Sequence, residues 1–334
     1  MTQIEASAPG KLVWLGEYAV LEGAPALVVA VDRRARVRLV DGDADRPARE
    51  AERAGRPNGG NGWHVEPALL SNVASLLDCP VAGGVRAEVD TDRLFTEVSQ
   101  TRVKLGLGSS AALTVAMAGA LCALDGRPAP GVDTLVAAHR RGQDGRGSGV
   151  DVAAALHGGA MVYRRAGESA RCDAVRLPEA LRWCCVWTGR PASTNQLLAR
   201  MGAWREDAPR RHASAMQALE AVAEAGVAAV ARGDAGGLVA AMRACGGQLA
   251  QLSDASGVDI ACSEHRAIGA IADACGVAYK SCGAGGGDVG VAVATDSLAL
   301  DAFKKRATSE GWQVLDLAPD THGLETRVRR GGSL

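Results

Sequence analysis

Short apolar runs separated by glycine turns set the pattern of the first part of the chain. Ile4 to Ala8, Leu12 to Leu15 and Ala26 to Val31 each predict a buried strand, with Pro9-Gly10-Lys11 and Gly16-Glu17-Tyr18 as interruptions. Residues 41 to 62 are charged and rich in Gly and Pro, which predicts a loop excursion. Beyond it, Pro67 to Leu77 predicts a helix, Val85 to Val89 a strand, and Leu94 to Val98 a short apolar piece. Leu113 to Ala123, Asp133 to Arg140 and Val152 to Leu156 read as helices and Met161 to Tyr163 as a strand. The apolar run Trp183 to Trp187 ends in T-G-R-P-A-S-T, and a boundary is expected there, between a domain of residues 1–188 and one of 189–334. Helical patterns follow at His212 to Arg232, Ala235 to Gln251 and Ile260 to Ala274. Val289 to Ala294, Ser297 to Glu310 and Gln313 to Leu317 then alternate strand, helix and strand, an α+β pattern without internal repeat.

Three glycine-rich turns punctuate this pattern. In Lys104 to Ala112, K-L-G-L-G-S-S-A-A, Gly106 and Gly108 allow a sharp turn and close backbone approach. Ser109 and Ser110 then stand where the N–H groups of a starting helix point outward, an arrangement that attracts anions. The same residues also fit a plain strand-to-helix turn with Ser as its cap. Gly142 to Gly149 forms the second turn and places Asp151 where a helix cap would sit; Gly283 to Gly287 forms the third. Lys11, between a turn and a buried strand, is either a solvated turn lysine or the partner of an anion, because a buried ammonium needs one. Glu17 admits a similar choice, between a surface carboxylate and a site residue.

Composition narrows the classes. At 334 residues the chain is long for one core, and 47% hydrophobic with 22% charged residues describes a globular protein. Only 3% of residues are aromatic, so Ala, Val and Leu must fill the interior. A formal net charge of -1 argues against nucleic acid or an acidic membrane as partner and leaves a small molecule as the expectation. The nine cysteines show no C-x-x-C pair and read as reduced core residues. With no signal-peptide pattern and no apolar stretch of spanning length, a cytoplasmic location is expected.

The motifs A-P-G-K-L-V-W-L-G-E-Y-A-V-L-E-G, K-L-G-L-G-S-S-A-A and K-S-C-G-A-G-G-G-D-V-G resemble, in order and spacing, the three motifs of the GHMP small-molecule kinases. The resemblance implies a ribosomal protein S5 domain 2-like N-terminal domain and a ferredoxin-like C-terminal domain, with ATP between them. It implies that Lys104, Gly106, Leu107, Gly108, Ser109, Ser110 and Ala111 hold the ATP phosphates, that Ser110 helps to hold Mg²⁺, and that Lys11 and Asp151 flank the transferred phosphoryl group. Glu17, Tyr18, Ser148, Ser193, Thr194, Gly283, Ala284, Gly285 and Gly286 are implied at the acceptor. An acceptor phosphate needs cations and donors, for which Lys104, Arg141 and the Ser193-Thr194 pair are candidates, each of which fits a surface charge or helix cap equally well. Upstream of Asp151 the chain offers only Gln143 and Asp144 as a second metal ligand. The activity implied is transfer from ATP to the phosphate of 5-phosphomevalonate, giving 5-diphosphomevalonate and ADP for isoprenoid precursors. Mevalonate, with a hydroxyl acceptor, is the alternative within the family, and a catalytically silent ligand sensor on the same fold is another.

Overall fold

The opening strand, β1 (Thr2–Leu15), joins the first two expected strands into one. The register against its neighbour shifts between Pro9 and Gly10, so the backbone bends there and continues. The computed structural model describes residues 2–41, 63–79, 81, 85–98, 100–141, 147–167 and 169–330; the excursion expected at 41 to 62, apart from Asp41 at the end of a strand, and the pair Gln143 and Asp144 lie outside them. A 3₁₀ turn (Ala19–Glu22) leads to β2 (Ala26–Asp41), which runs well beyond the expected apolar run because its second half alternates buried Ala35, Val37 and Leu39 with Arg36 and Arg38. Then come β3 (Trp63–Val65), α1 (Pro67–Leu76), β4 (Val85–Asp90), the hairpin β5 (Phe95–Val98) and β6 (Thr101–Lys104), and α2 (Ser109–Leu124). The first half closes with α3 (Val132–Arg141), α4 (Val150–His157), β7 (Ala160–Ala166) and β8 (Ser169–Val175).

The second half runs β9 (Arg182–Trp187), α5 (Thr194–Asp207), α6 (Pro209–Ala231), α7 (Ala235–Ser256), α8 (Ser263–Ala274), β10 (Ala278–Ser281), β11 (Val289–Ala294), α9 (Ser297–Ser309), β12 (Gln313–Leu315) and β13 (Glu325–Arg330). Two main sheets result. One has the order β13-β1-β2-β4-β3, with the β7–β8 hairpin sharing the far edge of β2; the other has the order β10-β11-β9-β12 and is antiparallel throughout. The expected boundary at 188 needs correction on this topology: β9 belongs to the second sheet, while β13 returns to pair with β1. Arg34 holds that return in place, its guanidinium donating to Asp320 Oδ2 at 2.5 Å, to the Gly323 carbonyl at 2.5 Å and to the Ser7 carbonyl at 2.9 Å.

Small side chains let the layers approach closely. From Ala111 to Cys122, α2 is buried all round apart from Leu113, because Ala and Gly on every face allow the sheet on one side and helices on the other. One continuous core links the halves: Leu12, Trp14 and Leu15 of β1 share it with Leu219 and Ala223 of α6 and Leu238, Met242 and Cys245 of α7. Seven cysteines, among them Cys185, Cys245 and Cys282, are buried thiols in these layers. Among the described residues no helix is long and apolar enough to cross a membrane.

Candidate active site

The β1 bend exists because Gly10 has no side chain: a Cβ there would lie 2.7 Å from the Leu107 carbonyl. The same approach brings Lys11 against the second motif, its backbone N–H donating to Leu107 O at 2.8 Å and its Nζ to Gly106 O at 3.4 Å. Gly106 and Gly108 both have φ near +80°, which L side chains avoid, and Gly108 caps α2 in the left-handed conformation. Gly108, and not a serine, is therefore the cap. Ser109 and Ser110 follow in the first turn, where N–H groups and the helix dipole favour an anion. Leu107 and Ala111 are buried core residues, so their side chains cannot touch a phosphate. A Cβ on Gly108 would sit 3.2 Å from Lys11 Cε and 3.6 Å from Asp151 Cβ, which places both side chains beside the glycine. Asp151 is not the cap of α4; Gly149 is, with φ 89°, and Asp151 accepts a bond from the Val152 N–H at 3.0 Å.

Helix α3 supplies a wall that the sequence did not announce. His139 Nε2 lies 3.3 Å from Ser110 Oγ, and Arg140 donates to the carbonyls of Gly147 at 3.1 Å and Ser148 at 3.4 Å. The Ser148 carbonyl also accepts from the Tyr163 hydroxyl at 2.7 Å, a phenol that burial pushes up to about 12 and so keeps protonated. Arg140, and not the exposed Arg141, borders the cavity.

The third motif closes the other side. Tyr18, with φ 60°, donates to the Ala284 carbonyl at 2.6 Å. Glu17 borders the cavity, but its carboxylate is 1% exposed and engaged with the fully buried Lys280 ammonium. Gly283 and Ala284 border the cavity, whereas Gly285 and Gly286 turn to Ile260 and Leu197, the Gly286 N–H donating to Ile260 O at 2.8 Å. Next, Asp288 adopts φ 58°, accepts the Ala192 N–H on Oδ1 at 3.0 Å, and lays its carboxylate against Gly106. Burial raises the Asp288 pKa, while the Ala192 N–H, Lys11 and Lys104 oppose the rise. Ser193 caps α5 through the Gln196 N–H at 3.4 Å. Together with Lys104, Ser148, Ser193, Thr194 and Asn195, these groups line one cavity of ≈ 390 Å³.

Sequence reasoning thus brought Lys11, Lys104, the α2 turn and Asp151 to one place and missed His139, Arg140, Asn195 and Lys280. Asp288 was within reach of it, as the first carboxylate after a glycine run. Among the described residues no cluster of three or more His, Cys, Asp or Glu could hold a metal. Mg²⁺ takes one or two carboxylates with phosphates and water, and hydroxyl and carboxylate oxygens on Ser110 and Asp151 beside an anion cradle fit that demand.

Behind the third motif, His265 donates from Nε2 to the Gly287 carbonyl at 2.8 Å, and its Nδ1 accepts from the Tyr279 hydroxyl at 2.9 Å. Burial drives its pKa down to about 4, so the folded imidazole is neutral where an unfolded one is half charged at about pH 6.5. Stability is therefore full above the unfolded pKa and falls as acid protonates the unfolded chain first, by about 3 kcal/mol between pH 7 and pH 4. Urea midpoints across that range should fall more steeply for wild type than for His265→Gln. Parallel profiles would mean that His265 is protonated freely in the fold.

The comparisons place this geometry in a family. Residues 75–159 match the model for the GHMP kinases N terminal domain. The chain is 30% identical to the phosphomevalonate kinase of Streptomyces sp. (strain CL190) over 95% of its own length and 97% of that relative's. It is also 36% identical to the mevalonate kinase of Aeropyrum pernix, over 48% of this chain and 50% of that one. Among solved structures, the Lin0012 protein from Listeria innocua superposes with TM-score 0.80 at 22% identity, covering 98% of this chain and 100% of that one. The Streptococcus pneumoniae phosphomevalonate kinase in complex with phosphomevalonate and AMPPNP superposes with TM-score 0.73 at 18% identity, covering 94% and 99%. The chain belongs to the GHMP kinase family, and its two-layer α+β fold is that family's fold.

Proposed function

We propose that this chain transfers the γ-phosphoryl group of ATP to the phosphate of 5-phosphomevalonate. The observation that carries the reading is the convergence, in one cavity, of the α2 N-terminus, Lys11 and Asp151 with two further cations, Lys104 and Arg140. That charge set suits two phosphate-bearing ligands better than one. The relative matched over nearly all of both chains supports the same acceptor.

Phosphoryl transfer requires positioning and charge neutralisation more than covalent chemistry. The N–H groups from Gly108 to Ala111 would receive the donor's phosphates, with Ser110 and Asp151 holding Mg²⁺, which when bound neutralises phosphate charge. Lys11, fixed by its backbone bond to Leu107, would face the transferred group. An acceptor phosphate oxygen then bonds to the γ-phosphorus as the bond to the β-phosphate oxygen breaks, and ADP leaves. Release of ADP with ATP alone, with mevalonate and with phosphomevalonate tests the reading. Turnover only with phosphomevalonate is expected; turnover with mevalonate would make the acceptor a hydroxyl, and none with either would leave a ligand sensor.

Lys104 is exposed at the rim, and its side chain makes no hydrogen bond among the described residues. Lys104→Met should raise KM for phosphomevalonate about tenfold, a typical loss of one charge-assisted contact, and change KM for ATP less. A rise confined to ATP would put Lys104 on the nucleotide side.

A further inference from the structure

We propose that Lys280 is a positioning residue that sets the Lys11 ammonium against the Gly283 loop. The proposal rests on the phosphoryl-transfer reading above, in which Lys11 faces the transferred group. Lys280 stands on β10, next to the third motif, yet its side chain runs across the junction between the sheets and is 0% exposed. An ammonium has three protons. Here one goes to Val13 O at 3.3 Å, one to Ser281 O at 2.6 Å and one to Glu17 Oε1. The remaining carboxylate oxygen of Glu17 accepts from Cys245 Sγ at 3.7 Å on α7, and the pair lies buried at the inner edge of the cavity that Glu17 borders. Burial alone would push the Lys280 pKa down; the Glu17 charge outweighs it and keeps the ammonium charged.

A pair of apolar side chains would join the two sheets without the desolvation cost of two buried ions. What apolar contacts lack is direction. Lys280 fixes three vectors at once, and two of them end on cavity-lining segments. Val13 lies two residues beyond Lys11 on the same strand face, and both line the cavity. Ser281 lies two residues before Gly283, where a Cβ would come within 4.0 Å of Lys11 Nζ. A second tie runs parallel to the first, from Tyr18 to the Ala284 carbonyl at 2.6 Å. The ion pair and this hydrogen bond bracket Gly283, so the loop and the catalytic ammonium keep one spacing only while both ties hold.

The test replaces the pair with apolar groups of similar size, Glu17→Leu with Lys280→Met, a change that commonly leaves a fold intact. Circular dichroism should show a folded chain, and calorimetry should give AMPPNP affinity within about threefold of wild type, while kcat falls about 100-fold, the cost of a displacement near 1 Å. Added to Lys11→Met, the same double change should cause no further loss, because it acts through Lys11. Wild-type kcat in the folded variant, or a loss that multiplies that of Lys11→Met, would overturn the proposal. If the double variant does not fold, Glu17→Gln, which keeps an oxygen acceptor for Lys280, should lower kcat about tenfold at unchanged KM. Unaltered kcat in Glu17→Gln overturns the proposal equally. Wild-type turnover in the same series keeps the two readings apart: an enzyme that uses mevalonate instead changes the acceptor and leaves the Lys280 comparison intact.

Discussion

Lys11→Met is expected to reduce kcat by about 10³-fold, the scale seen when a cation that meets charge in a phosphoryl-transfer transition state is removed. The methylene stem remains, so the β1 bend and the Leu107 bond to the backbone survive and the loss falls on the charge alone. Asp151→Asn should behave differently. A phosphomonoester acceptor has a second pKa of about 6 and is already a nucleophilic dianion at neutral pH, so it needs no carboxylate base. A hydroxyl acceptor would need one. Asp151 lies beside Gly108 and Lys11 and bonds the Val152 N–H, which suits it to orient the lysine and settle the first turn of α4, while an oxygen toward Mg²⁺ would be kept by the Asn amide. Asp151→Asn should therefore cost only about tenfold in kcat, part of it recovered as pH rises through the acceptor's second pKa. Turnover against pH for wild type and both variants, with phosphomevalonate at saturation, measures this. Equal losses for the two variants at every pH would point to an obligatory base and to a hydroxyl acceptor.

The parts of the site legible in the sequence were those whose chemistry is local. Gly106, Gly108, Gly149 and Gly283 all sit at positive φ, so the turns they form leave a mark in the sequence itself, glycine where no other residue is comfortable. Lys11 was visible because a lysine beside a buried run is out of place. Lys280 occupies a similar place beside β10, but its partner Glu17 lies on a turn after β1, and a pair so far apart in the chain leaves no periodicity to read. His139 was hidden for another reason: as a buried residue in the last turn of an amphipathic helix it fits α3 without any ligand in mind. In the fold, continuous apolar runs such as α2 and β11 and the amphipathic α6 were readable. The β5–β6 hairpin and β8 were not, since their faces are mixed and partly exposed. The return of β13 to β1 was hidden as well, because Arg34 and Asp320 hold it by tertiary contact.

Gly106→Ala should be nearly as damaging as the loss of Lys11, although it removes no functional group. A Cβ at Gly106 would lie 2.6 Å from Asp288 Oδ2 and nearer still to that side chain's carbons. Asp288 cannot step aside: its Oδ1 holds the Ala192 N–H, and its carbonyl accepts from both the Thr188 N–H and Oγ1 at 2.9 Å. The left-handed backbone of residue 106 adds about 1 kcal/mol for any L side chain. The turn must then shift, and with it the Gly106 carbonyl that receives Lys11 Nζ and the N–H groups that follow at the start of α2. We expect kcat/KM for ATP to fall about 10³-fold, with binding of AMPPNP weakened in step, as for other clashes of a buried Cβ with fixed neighbours. Gly108→Ala provides the contrast, since its Cβ would crowd the flexible Lys11 stem at 3.2 Å and 3.3 Å and touch Asp151 Cβ at an ordinary 3.6 Å, and should cost about tenfold less. A second-site change separates contact from backbone strain. Asp288→Gly removes the obstructing side chain at a position whose φ of 58° suits glycine, so Gly106→Ala in that background should bind AMPPNP within about tenfold of Asp288→Gly alone. An unrelieved loss in the double variant would assign the damage to the backbone of residue 106, and wild-type AMPPNP binding by Gly106→Ala itself would remove this turn from the phosphate site.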